Sequence, residues 1–250
     1  MKKLLSIISF LFVTVVVAQS NSSLFEKANN AYKNENYQEA IKLYQQIEAR
    51  DSISSTLYFN LGNAYYKLNN VASTVYYFEK ALMLDPLNND AANNLEFAKR
   101  MTIDNIEVLP KTFFQRFEEN YIQKLSYNQW AILSVVLSFI AAILFLLFYF
   151  SSISSKKRIS FLTSILSVFL LPVSIFPTYR QCQRAIDTKY AIVFAAKISV
   201  SNAPTINSEE VFVLHEGTKV NVLDTLDNWK KIKLADGKIG WISADALKEL

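Results

Sequence analysis

Two uncharged apolar runs constrain this chain more than any other feature: neither Trp130 to Phe150 nor Ile159 to Phe176 contains an Asp, Glu, Lys or Arg. As helices rising 1.5 Å per residue they would extend about 27 to 32 Å, enough to cross the hydrocarbon core of a bilayer. A soluble hairpin of this composition would need a large surrounding core. The runs therefore predict two transmembrane helices, at residues 129–150 and 159–179. Tyr121, Tyr127 and Trp130 near the start of the first, and Tyr179 after the second, put amphipathic rings where headgroups would lie.

Between the runs, residues 151–158 read SSISSKKR, and three cations in eight residues predict a cytoplasmic loop. Arg180, Arg184 and Lys189 follow the second run and weaken the charge asymmetry. The N-terminus supplies an independent argument. Lys2 and Lys3 precede LLSIISFLFVTVVV, and the small residues Val16 and Ala18 suit cleavage before Gln19, which makes residues 1–18 a signal peptide. An uncleaved anchor is the competing reading, and no cysteine follows Ala18 to carry a lipid. Export of the N-terminal segment, followed by two spans, predicts an inner-membrane protein with both terminal domains in the periplasm.

Compared with itself, the exported segment matches at a shift of 34 residues: KANNAYKNENYQEAIKLYQQI from Lys27 against LGNAYYKLNNVASTVYYFEKA from Leu61. Asn29 pairs with Asn63, Tyr32 with Tyr66, Lys33 with Lys67, Asn36 with Asn70 and Tyr44 with Phe78. In the second copy Leu61, Gly62, Tyr65, Phe78, Ala81 and Pro86 resemble the signature of the tetratricopeptide repeat, with Tyr58 at its usual Trp position. The first copy departs more, with Ala28, Ala31 and Ser52 at signature places. Asn94 and Leu95 extend the match to Asn60 and Leu61 before it fades. Residues 22–101 are thus expected to form two repeats and a capping helix from about Asp90 to Met101, because a short array cannot leave its last face bare. The resemblance implies a concave surface carrying Asn29, Tyr32, Lys33, Asn63, Tyr66 and Lys67. Such amides, phenols and ammonium groups can hydrogen-bond an extended peptide and attract a carboxylate.

Residues 102–128 read as an amphipathic linker, with Phe113, Phe114, Phe117, Tyr121 and Leu125 on one helical face. That face either lies in the outer leaflet or docks onto the repeats; the spacing leaves both open.

Residues 190–250 change to short alternating strands and hold three of the four glycines, Gly217, Gly237 and Gly240. Ala191 to Val193, VFVLHEGTKVNVLD from Val211, Trp229 with KIKLADGKIGWI behind it, and Leu247 resemble the bacterial SH3-like family, a small all-β barrel. Ser201 departs from an Arg common there. Trp229 and Trp241 are read either as core or as the aromatic floor of a peptide groove. His215 is the only histidine, sits at a turn that the family uses structurally, and has no recognisable nucleophile partner.

The net charge of +4 is dispersed among carboxylates, so nucleic-acid binding has no footprint. The single cysteine, Cys182, allows no internal disulfide. There is no phosphate loop, zinc set or calcium loop, so no cofactor, metal or enzymatic activity is expected.

The expected fold class is a multidomain membrane protein: an all-α helical repeat, a two-helix transmembrane hairpin and a small all-β barrel. In order and kind these parts resemble the BatE-like proteins of the Bacteroides aerotolerance operon. That resemblance implies a membrane adaptor working with von Willebrand factor A-type Bat proteins and a MoxR-type ATPase in stress tolerance. The expected function is an envelope scaffold that binds proteins or peptides through both modules. The alternative is a sensor whose barrel binds peptidoglycan.

Overall fold

The computed structural model describes residues 22–107 and 109–250. The expected signal peptide, residues 1–18, lies outside the described residues. The chain divides into two compact units, one holding the repeats and the barrel (up to Leu84, Asn88–Glu107, Tyr190–Leu250), the other Asp85–Leu87 and the chain from residue 109 to Lys189.

The repeat array consists of α1 (residues 22–33), α2 (Tyr37–Glu48), α3 (Ser55–Lys67), α4 (Val71–Leu84) and α5 (Asn89–Lys99). Its 34-residue period has a visible physical origin. Glu35 and Asn69 both take left-handed backbone angles, φ 61° and 55°, and reverse the chain. The next residue then caps the second helix, Asn36 Oδ1 accepting from Glu39 N at 3.4 Å and Asn70 Oδ1 from Ser73 N at 3.0 Å. The seam repeats too: the rings of Phe25 and Tyr44 lie 5.8 Å apart, those of Phe59 and Phe78 6.0 Å. Gly62 lets the second hairpin close tightly, since a Cβ there would lie 2.5 Å from the Phe78 ring. Helix α5 follows as a third first-helix, burying Leu95 and Ala98 as α3 buries Leu61 and Ala64.

The barrel is a seven-stranded sheet in the order β3-β2-β6-β5-β4-β1-β7, built from β1 (Lys189–Val193), β2 (Lys197–Ser201), β3 (Glu210–His215), β4 (Lys219–Leu226), β5 (Trp229–Lys233), β6 (Ile239–Ser243) and β7 (Leu247–Glu249). Ala191, Val193, Val200, Leu214, Val220, Ile232 and Ile242 fill its core. Gly217 and Gly237 turn at φ 85° and 92°, angles that a side chain would strain.

Strand β1 joins barrel to repeats by simple alternation. Ala191 and Val193 face the barrel core, while Ile192 between them packs into the core of the repeats. The outer side of α4 is correspondingly covered, and every residue from Ala72 to Glu79 is buried. The Phe194 ring meets Tyr76 edge-on at 5.8 Å, and Lys219 Nζ pairs with Glu79 Oε2 at 2.6 Å.

The second unit contains α6 (Phe113–Phe117), a π-turn (Glu118–Ile122), α7 (Tyr127–Phe150) and α8 (Ser154–Asp187). Helices α7 and α8 are long and apolar enough to cross a membrane. They pair antiparallel: Ser134 Oγ donates to Ser174 Oγ at 2.9 Å, Ser164 Oγ to the Ala141 carbonyl at 3.2 Å, and Phe148 meets Phe161 at 5.0 Å. Ser164, Ser167 and Ser174 are buried whereas Phe139, Phe145 and Phe169 point outward. Small polar residues inside and large apolar residues outside suit helices packed in lipid.

The connection between these helices is shorter than the eight residues expected. Helix α7 ends at Phe150 and α8 starts at Ser154, so Lys156, Lys157 and Arg158 lie in the first turns of α8. No Gly or Pro interrupts SSKKR, and continuing the helix keeps its backbone groups paired. At its other end α8 passes Pro172, Pro177 and residue 179 to reach Asp187. Its 34 residues measure about 51 Å, well over a hydrocarbon core.

Candidate functional site

The first helices of successive repeats, α1, α3 and α5, set their polar residues side by side. Asn29, Tyr32, Lys33, Tyr44, Asn60 and Asn63 line one hollow of about 130 Å³; Tyr32, Asn63, Tyr66, Lys67, Asn94 and Phe97 line the next, of about 230 Å³. Tyr32 and Asn63 belong to both, so the six residues singled out from the sequence come together in one polar groove. Asn60, Asn94, Tyr44 and Phe97 complete it and were not among them. Their signal was present, since Asn60 and Asn94 stand 34 residues apart.

Asparagines hold the groove in register. Asn60 Nδ2 donates to Asn29 Oδ1 at 3.1 Å, and one repeat further Asn94 Nδ2 donates to Asn63 Oδ1 at 2.8 Å. Both bonds span 31 residues, so the same amide rung is made twice. From the buried side the Tyr44 hydroxyl also donates to Asn29 Oδ1, at 2.6 Å. With these bonds formed, Asn60 keeps an acceptor and Asn63 its two donors for another partner, the complement that an extended backbone presents. Among the described residues neither Lys33 nor Lys67 enters an ion pair.

Burial governs the tyrosines here. It pushes the Tyr44 phenol up to about 12, against a smaller opposing effect of the Asn60 hydrogen bond. It raises Tyr32 as well, although Lys67 nearby favours the phenolate. Both rings are neutral donors at ordinary pH.

Trp229 and Trp241 are not in the barrel core. Trp229 pairs with Ser243 and Lys231 with Trp241, whereas Ile232 and Ile242 fill the core, so both indoles lie on the outer face of β5 and β6. They are diagonal neighbours there, and Lys231 Nζ stands 5.9 Å from the Trp241 ring. His215 occupies a different position, with Nδ1 2.7 Å from Asp104 Oδ1. Among the described residues no cluster of His, Cys, Asp and Glu could hold a metal ion.

Comparison with known proteins identifies both modules. Residues 55–88 match the tetratricopeptide repeat and residues 202–248 the bacterial SH3 domain. No curated protein matches the chain. The first match covers α3, α4 and the turn after them; α2 repeats the asparagine cap of α4, and α1 with α2 repeats the ring pair, with Ala28 in place of Gly62. The second begins after β2, so the strand that joins barrel to repeats lies outside it. Domains of these two kinds are typically binding modules without catalytic activity, and with two helices suited to crossing a membrane they suggest an anchored protein that binds proteins or peptidoglycan.

Proposed function

We propose that this protein is a membrane-anchored envelope scaffold whose repeat groove holds an extended, acidic segment of a partner protein. The observation that carries the reading is the pair of asparagine rungs flanked by Lys33 and Lys67, neither of which has a carboxylate partner among the described residues. Ordered amides match backbone donors and acceptors, and the two cations favour carboxylates. The chain acts by holding partners together and not by catalysis, its repeats and barrel lying in the periplasm and Lys156, Lys157 and Arg158 at the cytoplasmic end of the hairpin. By its resemblance to BatE-like proteins, the partners are von Willebrand factor A-type Bat proteins served by a MoxR-type ATPase, and the process is stress tolerance.

The test is co-purification of the full chain with such Bat proteins in mild detergent, repeated with Asn63→Ala and Lys67→Glu together. Capture that the double substitution abolishes supports the scaffold; equal capture by both forms removes the groove from the proposal. A second reading rests on the outward pair Trp229 and Trp241, which suits stacking against a wall component. Sedimentation of the full chain with peptidoglycan, lost on Trp241→Ala, would favour it.

A further inference from the structure

Helix α6 and the π-turn after it carry an aromatic face that the described residues of their own unit leave uncovered: Phe113 is 75% exposed, Phe114 81% and Tyr121 64%. The rings stand in two pairs on successive turns, Phe113 and Phe114 5.8 Å apart and Phe117 and Tyr121 4.9 Å. Charged groups of the same segment are engaged elsewhere. Lys111 pairs with Glu119 at 2.7 Å, Arg116 Nε donates to the Lys111 carbonyl, and Glu118 stands between Arg180 and Arg184 at 3.7 and 4.0 Å.

What covers the face follows from where the segment is fastened. The Ile122 carbonyl accepts from Trp130 Nε1 at 2.8 Å and from Gln181 Nε2 at 2.7 Å, and Gln181 also reaches the Leu125 carbonyl at 2.6 Å. Trp130 is in the first turn of α7, and Gln181 follows the uncharged run of α8 by little more than one turn. The π-turn is therefore clamped at the level where both long helices leave the hydrocarbon, with arginines beside it. We infer that Phe113, Phe114, Phe117 and Tyr121 insert into the outer leaflet at the boundary between headgroups and acyl chains, making residues 112–122 an in-plane membrane foot continuous with the hairpin. An amphipathic segment fixed at that depth buries aromatic side chains in lipid while its polar side stays wet. The inference rests on the membrane-anchored reading above.

The test uses the full chain in phosphatidylcholine nanodiscs, with Cys182→Ser and single cysteines at Phe114→Cys, Arg116→Cys and Ile140→Cys carrying an environment-sensitive fluorophore. Lipids brominated close to the headgroup should quench most of the emission at position 114, and aqueous iodide should quench position 116. Deeply brominated lipids should quench position 140, on the outer side of α7. Iodide quenching at 114 equal to that at 116, while 140 remains lipid-quenched, overturns the inference and leaves the anchor standing. Protection of 114 from both quenchers means that protein covers the face, and also overturns it. Loss of lipid quenching at 140 brings down the anchor and the foot together.

Discussion

Asp104, beyond the last repeat helix, grips His215 of the barrel twice: Oδ2 accepts from the His215 backbone N–H and Oδ1 meets His215 Nδ1, both at 2.7 Å. Thr218 Oγ1 adds a third bond to Oδ2, at 2.6 Å. A single carboxylate thus ties the end of the repeats to the β3–β4 turn of the barrel. The lone histidine has a structural partner, and beside it the hydrogen side of Gly217 packs on Val71 and Thr102.

Replacing Asp104 by Ala should lower stability by about 1–3 kcal/mol, because the Thr218 hydroxyl and His215 N–H lose their acceptor in a half-buried site. Thermal unfolding of the full chain in detergent measures it. The pH dependence has a definite sign. Burial alone would raise the Asp104 carboxyl, but the bonds from Thr218 and His215 outweigh it and hold it below the ordinary 3.8. Its stabilisation is then complete above that value and disappears as pH falls through the lower folded one. Asp104→Asn should flatten the acid loss of stability below pH 3.8.

Tyr44→Phe removes the hydroxyl that fixes Asn29 and should cost about 1 kcal/mol at neutral pH. At alkaline pH its effect should shrink. A phenol raised from 10.0 to about 12 by burial contributes fully below pH 10 and loses that contribution as pH climbs toward 12. Denaturant titrations at pH 8 and pH 11 should therefore show a smaller pH effect in the variant than in the native chain.

Gly62→Ala should destabilise the second repeat by about 1–3 kcal/mol, since the new methyl meets the fully buried Phe78 ring. The reverse change at the equivalent position, Ala28→Gly, places flexibility in a helix and should cost about 0.5–1 kcal/mol. Differential scanning fluorimetry of the two variants distinguishes close approach from helix propensity.

Lys33→Glu with Lys67→Glu should weaken binding of an acidic unstructured peptide. Two attractions lost and two repulsions gained, at about 0.5 kcal/mol each, amount to roughly thirtyfold. Fluorescence anisotropy reads the change, and the native affinity should fall with added salt more steeply than that of the variant.

Periodicity made most of the architecture legible. The 34-residue match Asn36 to Asn70 marks two helix caps, Tyr44 to Phe78 marks two seam rings, and strand alternation after Tyr190 marks the barrel. The groove was half legible. Tyr32 and Lys33 stood out by residue type, whereas Asn60 and Asn94 share the 34-residue spacing but owe their role to bonds with residues 31 positions away, which the spacing does not display. The start of α8 at Ser154 was not legible, because serines and cations suit an exposed loop and an exposed first helical turn equally well.

By itself the sequence determined the number and kind of the modules, because helical repeats, apolar spans and strands each impose a period set by backbone geometry. Tertiary structure decided how the repeats and the barrel meet. Ile192 leaves the barrel for the repeat core, Glu79 finds Lys219 at a separation of 140 residues, and Asp104 finds His215 at 111. Such contacts depend on shape and charge matched across more than a hundred residues, so they leave no period for the sequence to show.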